Sequence, residues 1–549
     1  MKNNQIVFTL LQEGLQLQLD SAGFAPEEIE SLTYDGRRAI LTLTHDVTDV
    51  PAFVVANLYD VESVALPAST ERVHSAAFSS SVCVIRYAGP LATADGRFLI
   101  KDGTLIAYVD NNYHEIVLPD TVTALADGVF RSSYALQTII LPAHLRHIGD
   151  DVFNTCTQLR EVVWPETLQT IGQRAFMCCA LEHLVLPDSV TIVGEEAFAY
   201  CEQLEHVRLG ASVEHIGPNA FGGCRVNESF SGRHATADGK LVILNHTVVA
   251  AVSFAEELTV PEGVERIAPY AFYHSSVGEK VRLPASLKEI GHHAFFCSHV
   301  DVELPDGLQT IGEMAFRDDF GLTHVRMPES VSEIGDGAYG GCAAQQYSGR
   351  YATADGLYLI KDGCLLGVAE RDTDCYEVPQ GVTRIGAYAF ANLDVKARLV
   401  LPEGLVEIGD HALDGDEGAI WTSLSLPSTL RTIGRYAFNY LQLTGTLRLP
   451  EGLEHIGDHA FEDAMLGDPH VVLPSTLRSI GYEAFYDVNY LSDEKPVYEL
   501  RGENPPVFTE GPAFYDFAAL RIPEQARARY EADAEWAELL HRTPDTERD

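Results

Sequence analysis

Residues Leu141–Pro165 read LPAHLRHIGDDVFNTCTQLREVVWP. In the last part of this stretch the side chains alternate. Val162 and Trp164 point one way, Glu161 and Val163 the other, which is the period of a β-strand. Pro165 lacks an N–H and suits a strand end. Upstream, Leu145 and Ile148 form a second apolar pair. Gly149 follows them, read as permitting a backbone bend that a Cβ would resist. Phe153 lies where the rings of successive copies can stack. So short a unit cannot bury its own apolar face, and it needs copies of itself on either side.

The copies are present. Strand-ending prolines stand at Pro67, Pro119, Pro142, Pro165, Pro187, Pro261, Pro284, Pro305, Pro328, Pro379, Pro402, Pro427, Pro450 and Pro474, with Gly210 and Thr44 in equivalent places. Most spacings are 21 to 25 residues, and three are 51 or 52 because a block is inserted. Two looser turns follow, at Gly502 and Pro523. The period predicts a coil of stacked parallel strands with about 18 turns.

The stretch IGQRAFMCCALEHLVLP, from Ile171 to Pro187, nearly matches L-x-x-I-G-x-x-A-F-x-x-C-x-x-L-x-x-V-x-L-P. In this the chain resembles the BspA-type (treponemal-type) leucine-rich repeat proteins over residues of about 44 to 540. The resemblance implies a right-handed, parallel β-strand leucine-rich-repeat solenoid. It also implies a bacterial adhesin or protein-binding protein at the cell surface or secreted.

The inserted blocks read ATADGRFLIKDGTLIAYV (92–109), ATADGKLVILNHTVVAAV (235–252) and ATADGLYLIKDGCLLGVA (352–369). Asp102-Gly103, Asn245-His246 and Asp362-Gly363 stand between alternating runs and predict β-hairpins projecting from the coil, near 88–112, 231–255 and 348–372. Covering a coil edge and binding a partner are both open roles for them. Residues 1–43 read as a small β cap with strands at Gln5–Gln12 and Leu15–Asp20, and residues 44–523 as the solenoid. EQARARYEADAEWAELLHR (524–542) predicts one amphipathic helix, with Ala526, Tyr530, Ala534, Trp536, Leu539 and Leu540 as its apolar stripe. The final TPDTERD is expected to be a disordered tail.

Composition narrows the function. The 549 residues carry 38 Lys+Arg against 80 Asp+Glu, a formal net charge of -42. Such a surface repels phosphate backbones, so nucleic acid is not an expected partner. No apolar run of about 18 residues occurs, so no membrane insertion is expected. The N-terminal segment has one Lys, and Gln12 and Glu13 cut its apolar stretch. That is a poor signal peptide and favours the cytoplasm, whereas the resemblance favours the surface.

Chemistry-bearing residues fall mostly on repeat positions. Cys156, Cys179, Cys201, Cys224 and Cys342 follow the coil's aromatic by three and are read as buried, reduced core residues. Cys364 and Cys375 lie near the third insert, and nothing requires them to pair. His183 and His206 share a strand position in adjacent coils, and His324 and His470 each hold that position in separate coils further on, without the carboxylates or thiols that complete a metal set. HHAFFCSH (His292–His299) looks metal-like, but the coil would splay its ligands. DGDEG (Asp414–Gly418) lacks the later glutamate of a calcium loop. The sequons at Asn227 and Asn245 matter only in a glycosylating pathway. No G-x-S-x-G, P-loop or H-E-x-x-H occurs, so the chain is read as non-enzymatic, with no catalytic, metal or cofactor residue assigned and no cofactor expected.

The outward strand positions remain. Ile140, Val163 and Val185 form an aliphatic stripe, and His183, His206, Arg208, Arg282, His324 and Arg326 a basic one. Together they predict a protein-binding face. The partner is a protein, with the chain acting as adhesin or scaffold and a monomer favoured. A structural, self-associating solenoid is the alternative.

Overall fold

The computed structural model describes all residues except 1, 21–22, 53, 55–60, 75–76, 78–85, 110–112, 225, 227–228, 343, 416–417, 491–494, 516 and 543–549, and the side chains of 276–279. Asn227, Asp416, Glu417 and the TPDTERD tail therefore lie outside the described residues. The chain is a parallel β-solenoid of about 19 turns with little helix. It divides into two compact units, Met1–Ala255 with Ala268–Ser275, and Glu256–Ile267 with Ser276–Asp549.

In the first unit each coil contributes a three-sided turn. The alternating segment forms one strand: Glu115–Val117, Thr138–Ile140 and Glu161–Val163 pair in parallel with no register shift. The Leu-x-x-Ile segment forms a second, two-residue strand, and Ala124–Leu125, His147–Ile148, Thr170–Ile171, Ile192–Val193 and His215–Ile216 stack in parallel. On the third side the A-F corner bonds forward, Phe153 N–H to Ala175 O at 2.7 Å and Phe176 N–H to Ala197 O at 2.8 Å. Inside this corner the rings of Phe130, Phe153, Phe176, Phe198 and Phe221 stack with centroids 4.9 to 5.7 Å apart. The second unit repeats the device with Phe438, Phe461, Phe485 and Phe514, spaced 5.0 to 5.3 Å.

Side chains reinforce each ladder. Buried thiols donate to the aromatic carbonyl one coil back: Cys156 to Phe130, Cys179 to Phe153, Cys201 to Phe176 and Cys224 to Phe198, at 3.0 to 3.2 Å. Hydroxyls just after the strand do the same to leucine, as when Ser189 donates to Leu168 O at 2.6 Å. Thr429 and Thr476 repeat that bond to Leu405 and Leu453, each at 2.8 Å.

The glycine after the Ile serves a different purpose from the bend expected. A Cβ on Gly194 would meet Gly172 C at 2.6 Å, and one on Gly172 would meet Gly149 C at 2.5 Å. The residue is glycine because successive coils touch backbone to backbone there.

The inserts are β-hairpins, but the first and third do not project. Phe98–Lys101 pairs antiparallel with Thr104–Tyr108, and Thr104–Tyr108 itself pairs in parallel with Ala124–Leu125. Tyr358–Lys361, Cys364–Val368 and Arg384–Ile385 do the same in the second unit. The first and third hairpins are thus part of the sheet of their own unit. The ATADG motif has a local cause: Thr93, Thr236 and Thr353 each donate to the Asp two residues on at 2.6 Å. Asp102 (φ 49°) and Gly103 (φ 80°) have the paired positive φ of a type I′ turn.

Both caps differ from expectation. Leu15–Asp20 is not a strand. Instead Ile29–Asp35 and Arg38–Leu43 form a hairpin around Gly36, and Gln5–Leu10 lies antiparallel between Arg38–Leu43 and Val61–Ala65. The LTLT segment before Thr44 therefore belongs to the cap. At the other end the expected single helix is broken into a 3-10 turn Glu524–Ala526 and helices Arg527–Glu531 and Ala534–Arg542. Asp533 causes the break by accepting the N–H groups of Glu535 and Trp536 at 3.1 and 3.3 Å as an N-cap. Ala534 is exposed, while Ala526, Tyr530, Trp536 and Leu539 are buried.

Candidate functional site

Two surfaces carry the candidate side chains: the outward strand face and the corner of the A-F turn. On the first, Val117, Ile140 and Val163 stand in one register. Val117, Val163 and Val185 are 54%, 44% and 49% exposed, and Ile140 is half-buried. Val185 belongs to the next strand pair, where it is in register with Arg208 and His183 with His206. His206 uses both ring nitrogens on hydroxyls, Ser229 at 3.0 Å and Ser231 at 3.2 Å. Arg208 is bonded to Asp188 of the preceding coil at 3.1 Å. In the second unit Arg282, His324 and Arg326 are exposed, and both guanidinium Nη atoms of Arg326 reach Asp306 at 2.9 Å. Lys280 likewise holds Glu303 at 2.8 Å. Much of the positive charge on this face is thus matched by carboxylates one coil away.

The second surface has a backbone origin that sequence reading did not reach. The residue at the Ala-Phe corner has a left-handed φ: Asp151, Arg174, Glu196, Asn219 and Tyr270 in the first unit, and His293, Met314, Tyr388, His411, Tyr436, His459 and Glu483 in the second. Every such side chain leaves the coil at the same corner, so the residues form a column. From Asp151 to Glu196 the column is ionic. Arg174 takes both carboxylate oxygens of Asp151 at 2.9 Å and approaches Glu196 at 3.9 Å. The Arg174 guanidinium holds the Asp151 carboxyl below its usual range.

From Tyr388 to His459 the column is aromatic. Tyr388, His411, Tyr436 and His459 stack with centroids 4.6, 4.8 and 4.6 Å apart and planes within 12°. The Arg317 guanidinium lies 3.6 Å from the Tyr388 ring centre. It arrives from the coil before Gly337 and Gly341, two left-handed glycines with no side chain to intervene. Across the same gap Asn392 donates to Asp318 at 2.8 Å.

The remaining chemistry separates from these surfaces. In HHAFFCSH, Phe295 is buried and His293 packs against Phe296 at 5.3 Å, with burial holding its pKa down at about 4. Asp414 of DGDEG accepts from His411 at 2.9 Å. Cys364 and Cys375 are both free thiols. A cavity of about 720 Å³ beside the N-terminal cap is lined by Phe24, His45, Asp49, Arg72 and Ile106. Its Arg72 is ion-paired with Asp49.

A family model described as the BspA type leucine-rich repeat region matches residues 106–230, 248–348 and 372–492 in six copies. The chain belongs to the BspA-type leucine-rich repeat family. Among solved structures, it is similar to a leucine-rich cell surface protein from Faecalibacterium prausnitzii. That match has 22% identity and a TM-score of 0.37, over 76% of this chain and 96% of the other. A leucine-rich repeat protein from Eubacterium ventriosum matches at 15% identity and a TM-score of 0.38, over 67% and 91%. The pneumococcal vaccine antigen PcpA matches at 17% identity and 0.37, over 85% and 100%. A search of curated proteins finds no match. For this BspA-type chain, no helix among the described residues is long and apolar enough to cross a membrane.

Proposed function

We propose that this BspA-type solenoid is a non-enzymatic protein-binding chain, adhesin-like or scaffolding, that presents its outward strand face to a protein partner. The reading rests on one observation. Val117, Val163 and Val185 hold aliphatic side chains half in water on a rigid parallel-strand surface. A solvent-facing strand position has no packing need for such residues, whereas the centre of an interface does. In the first unit His183, His206 and Arg208 flank this stripe. In the second, Arg282, His324 and Arg326 supply polar contacts of the same kind.

Pull-down from candidate partner lysates, followed by titration of the captured protein, tests the face. Val163→Glu is expected to weaken the partner by at least about tenfold, the loss of a central apolar contact of roughly 1.4 kcal/mol or more. Arg208→Glu, Arg282→Glu and Arg326→Glu act at the rim and should chiefly slow association. Unchanged affinity in Val163→Glu removes the face from consideration. A mass that grows with concentration in light scattering, and that Val163→Glu abolishes, assigns the stripe to self-association instead.

A further inference from the structure

Three histidines occupy the left-handed corner position of the second unit: His293, His411 and His459, with φ 54°, 53° and 54°. Their rings leave the coil alike, so their surroundings differ only through neighbouring residues. Two positions matter, the residue three further on and the corner residue of the next coil. His293 finds Phe296 and Met314 there. His411 finds Asp414, bonded at 2.9 Å, and Tyr436, stacked at 4.8 Å. His459 finds a carboxylate at both, with Nδ1 at 3.0 Å from Glu462 and 3.6 Å from Glu483. Among the described residues this is the group whose ligand atoms all lie within 4.8 Å of one another.

We propose that His459, Glu462 and Glu483 form a binding site for a borderline divalent metal ion of the zinc, cobalt or nickel class. One imidazole nitrogen with two carboxylate oxygens suits these ions, whereas calcium takes six to eight oxygens. The spacing fits: ligands about 2.1 Å from a tetrahedral ion are about 3.4 Å apart, between the two observed separations. The ring is already oriented. Tyr436 stacks on one face at 4.6 Å with planes 1° apart, and Tyr482 packs against the ring at 5.5 Å. Nδ1 is buried and makes no hydrogen bond of good geometry, although both carboxylates are within ion-pair reach. Three protein ligands leave a further position to water. The metal neutralises two carboxylates that otherwise crowd the same ring nitrogen.

Calorimetric titration of the full chain with Zn²⁺ at physiological salt, together with Co²⁺ absorption in the visible region, tests the site. One equivalent is expected to bind with a tetrahedral Co²⁺ band. Glu483→Gln and His459→Asn are each expected to weaken Zn²⁺ by at least about tenfold and to remove the band. His411→Asn, in the same corner with one carboxylate, should bind like the parent chain. If His459→Asn loses its native circular dichroism, Glu483→Gln carries the comparison alone. Absence of a tetrahedral Co²⁺ band in the parent, or Zn²⁺ affinity that Glu483→Gln leaves unchanged, overturns the proposal. The second result assigns the ion to the diffuse acidic surface.

Discussion

Gly194 illustrates how much of this fold is decided one atom at a time. An added Cβ would sit 2.6 to 2.7 Å from Gly172 C, Gly172 O and Gln173 N, all backbone atoms that cannot swing aside. Gly194→Ala must push two coils apart, a strain of about 1–3 kcal/mol, and chemical denaturation should show that loss. Asp319 makes a different single-residue case. It stands where other coils place the buried cysteine, and it accepts the N–H groups of Val300 and Gly321 at 3.0 and 2.9 Å. Burial pushes its pKa up from 3.8 to about 8. The folded chain therefore keeps a proton that the unfolded chain releases, and stability falls as pH rises from about 4 to about 8. Asp319→Asn keeps the acceptor and a neutral N–H₂ in place of the proton. Its stability relative to the parent should rise by up to about 1.4 kcal/mol per pH unit across that window and level off above it. Parallel denaturation curves at both ends of the window check this. A constant difference would mean that Asp319 is ionised throughout.

At the scale of the element, the aromatic corner is the unit that repeats, and its rings are the test of it. Phe198 lies between Phe176 at 5.4 Å and Phe221 at 5.7 Å, with planes 9° and 4° from parallel. Phe198→Ala should cost about 3–5 kcal/mol, because a cavity in a stacked column cannot collapse without shifting both neighbours. The thiols beneath the same corner give a milder probe. Cys156, Cys179, Cys201 and Cys224 are buried and bonded to carbonyls. Native chain exposed to an alkylating reagent should keep these four unmodified until denaturant is added, as mass spectrometry can read. The coil, its two strands and the ring column were legible because apolar residues recur at fixed spacing. The hairpins were legible through Asp102-Gly103 and Asp362-Gly363, but not their place in the sheet, since a turn signal says nothing about the third strand. The N-terminal cap was misread because the turn was placed between Gln12 and Leu15, whereas the hairpin turns between Asp35 and Arg38. The corner column was invisible for a sharper reason. Asp151, Arg174, Tyr388 and His459 share a backbone angle but no side-chain property, so no hydropathy period marks them. Knowing that the residue before Ala-Phe faces its counterpart one coil on would have paired His459 with Glu483 from spacing alone.

For the molecule as a whole, the acidic excess poses the main energetic question, because the carboxylates act in two opposed ways. Many are structural. Asp150 accepts Gln173 N–H at 2.7 Å, Asp410 accepts Arg435 N–H at 2.8 Å and Asp458 accepts Tyr482 N–H at 2.9 Å, each stitching one coil to the next. Asp188 and Glu451 do the same just after the strand, toward Ala211 and Ser475 at 3.1 Å. These bonds reward local negative charge at each of these coils, and repetition multiplies it. With 38 basic against 80 acidic residues, complete ion pairing would still leave the net charge at -42. Exposed pairs such as Arg326–Asp306 contribute little in water, about 0–1 kcal/mol each. Self-repulsion of the surplus acts over a longer range and destabilises the compact state. Raising salt from about 0.01 M to about 0.1 M shortens the screening length from about 30 Å to about 10 Å, which removes the long-range repulsion. The backbone-to-carboxylate bonds are short-range and survive it. The thermal midpoint is therefore expected to rise across that salt range. Scanning calorimetry in a monovalent salt checks it, free of the divalent ions that His459 and its carboxylates would take up. A midpoint that falls would show that surface ion pairs, and not the unpaired surplus, dominate the electrostatics of the solenoid.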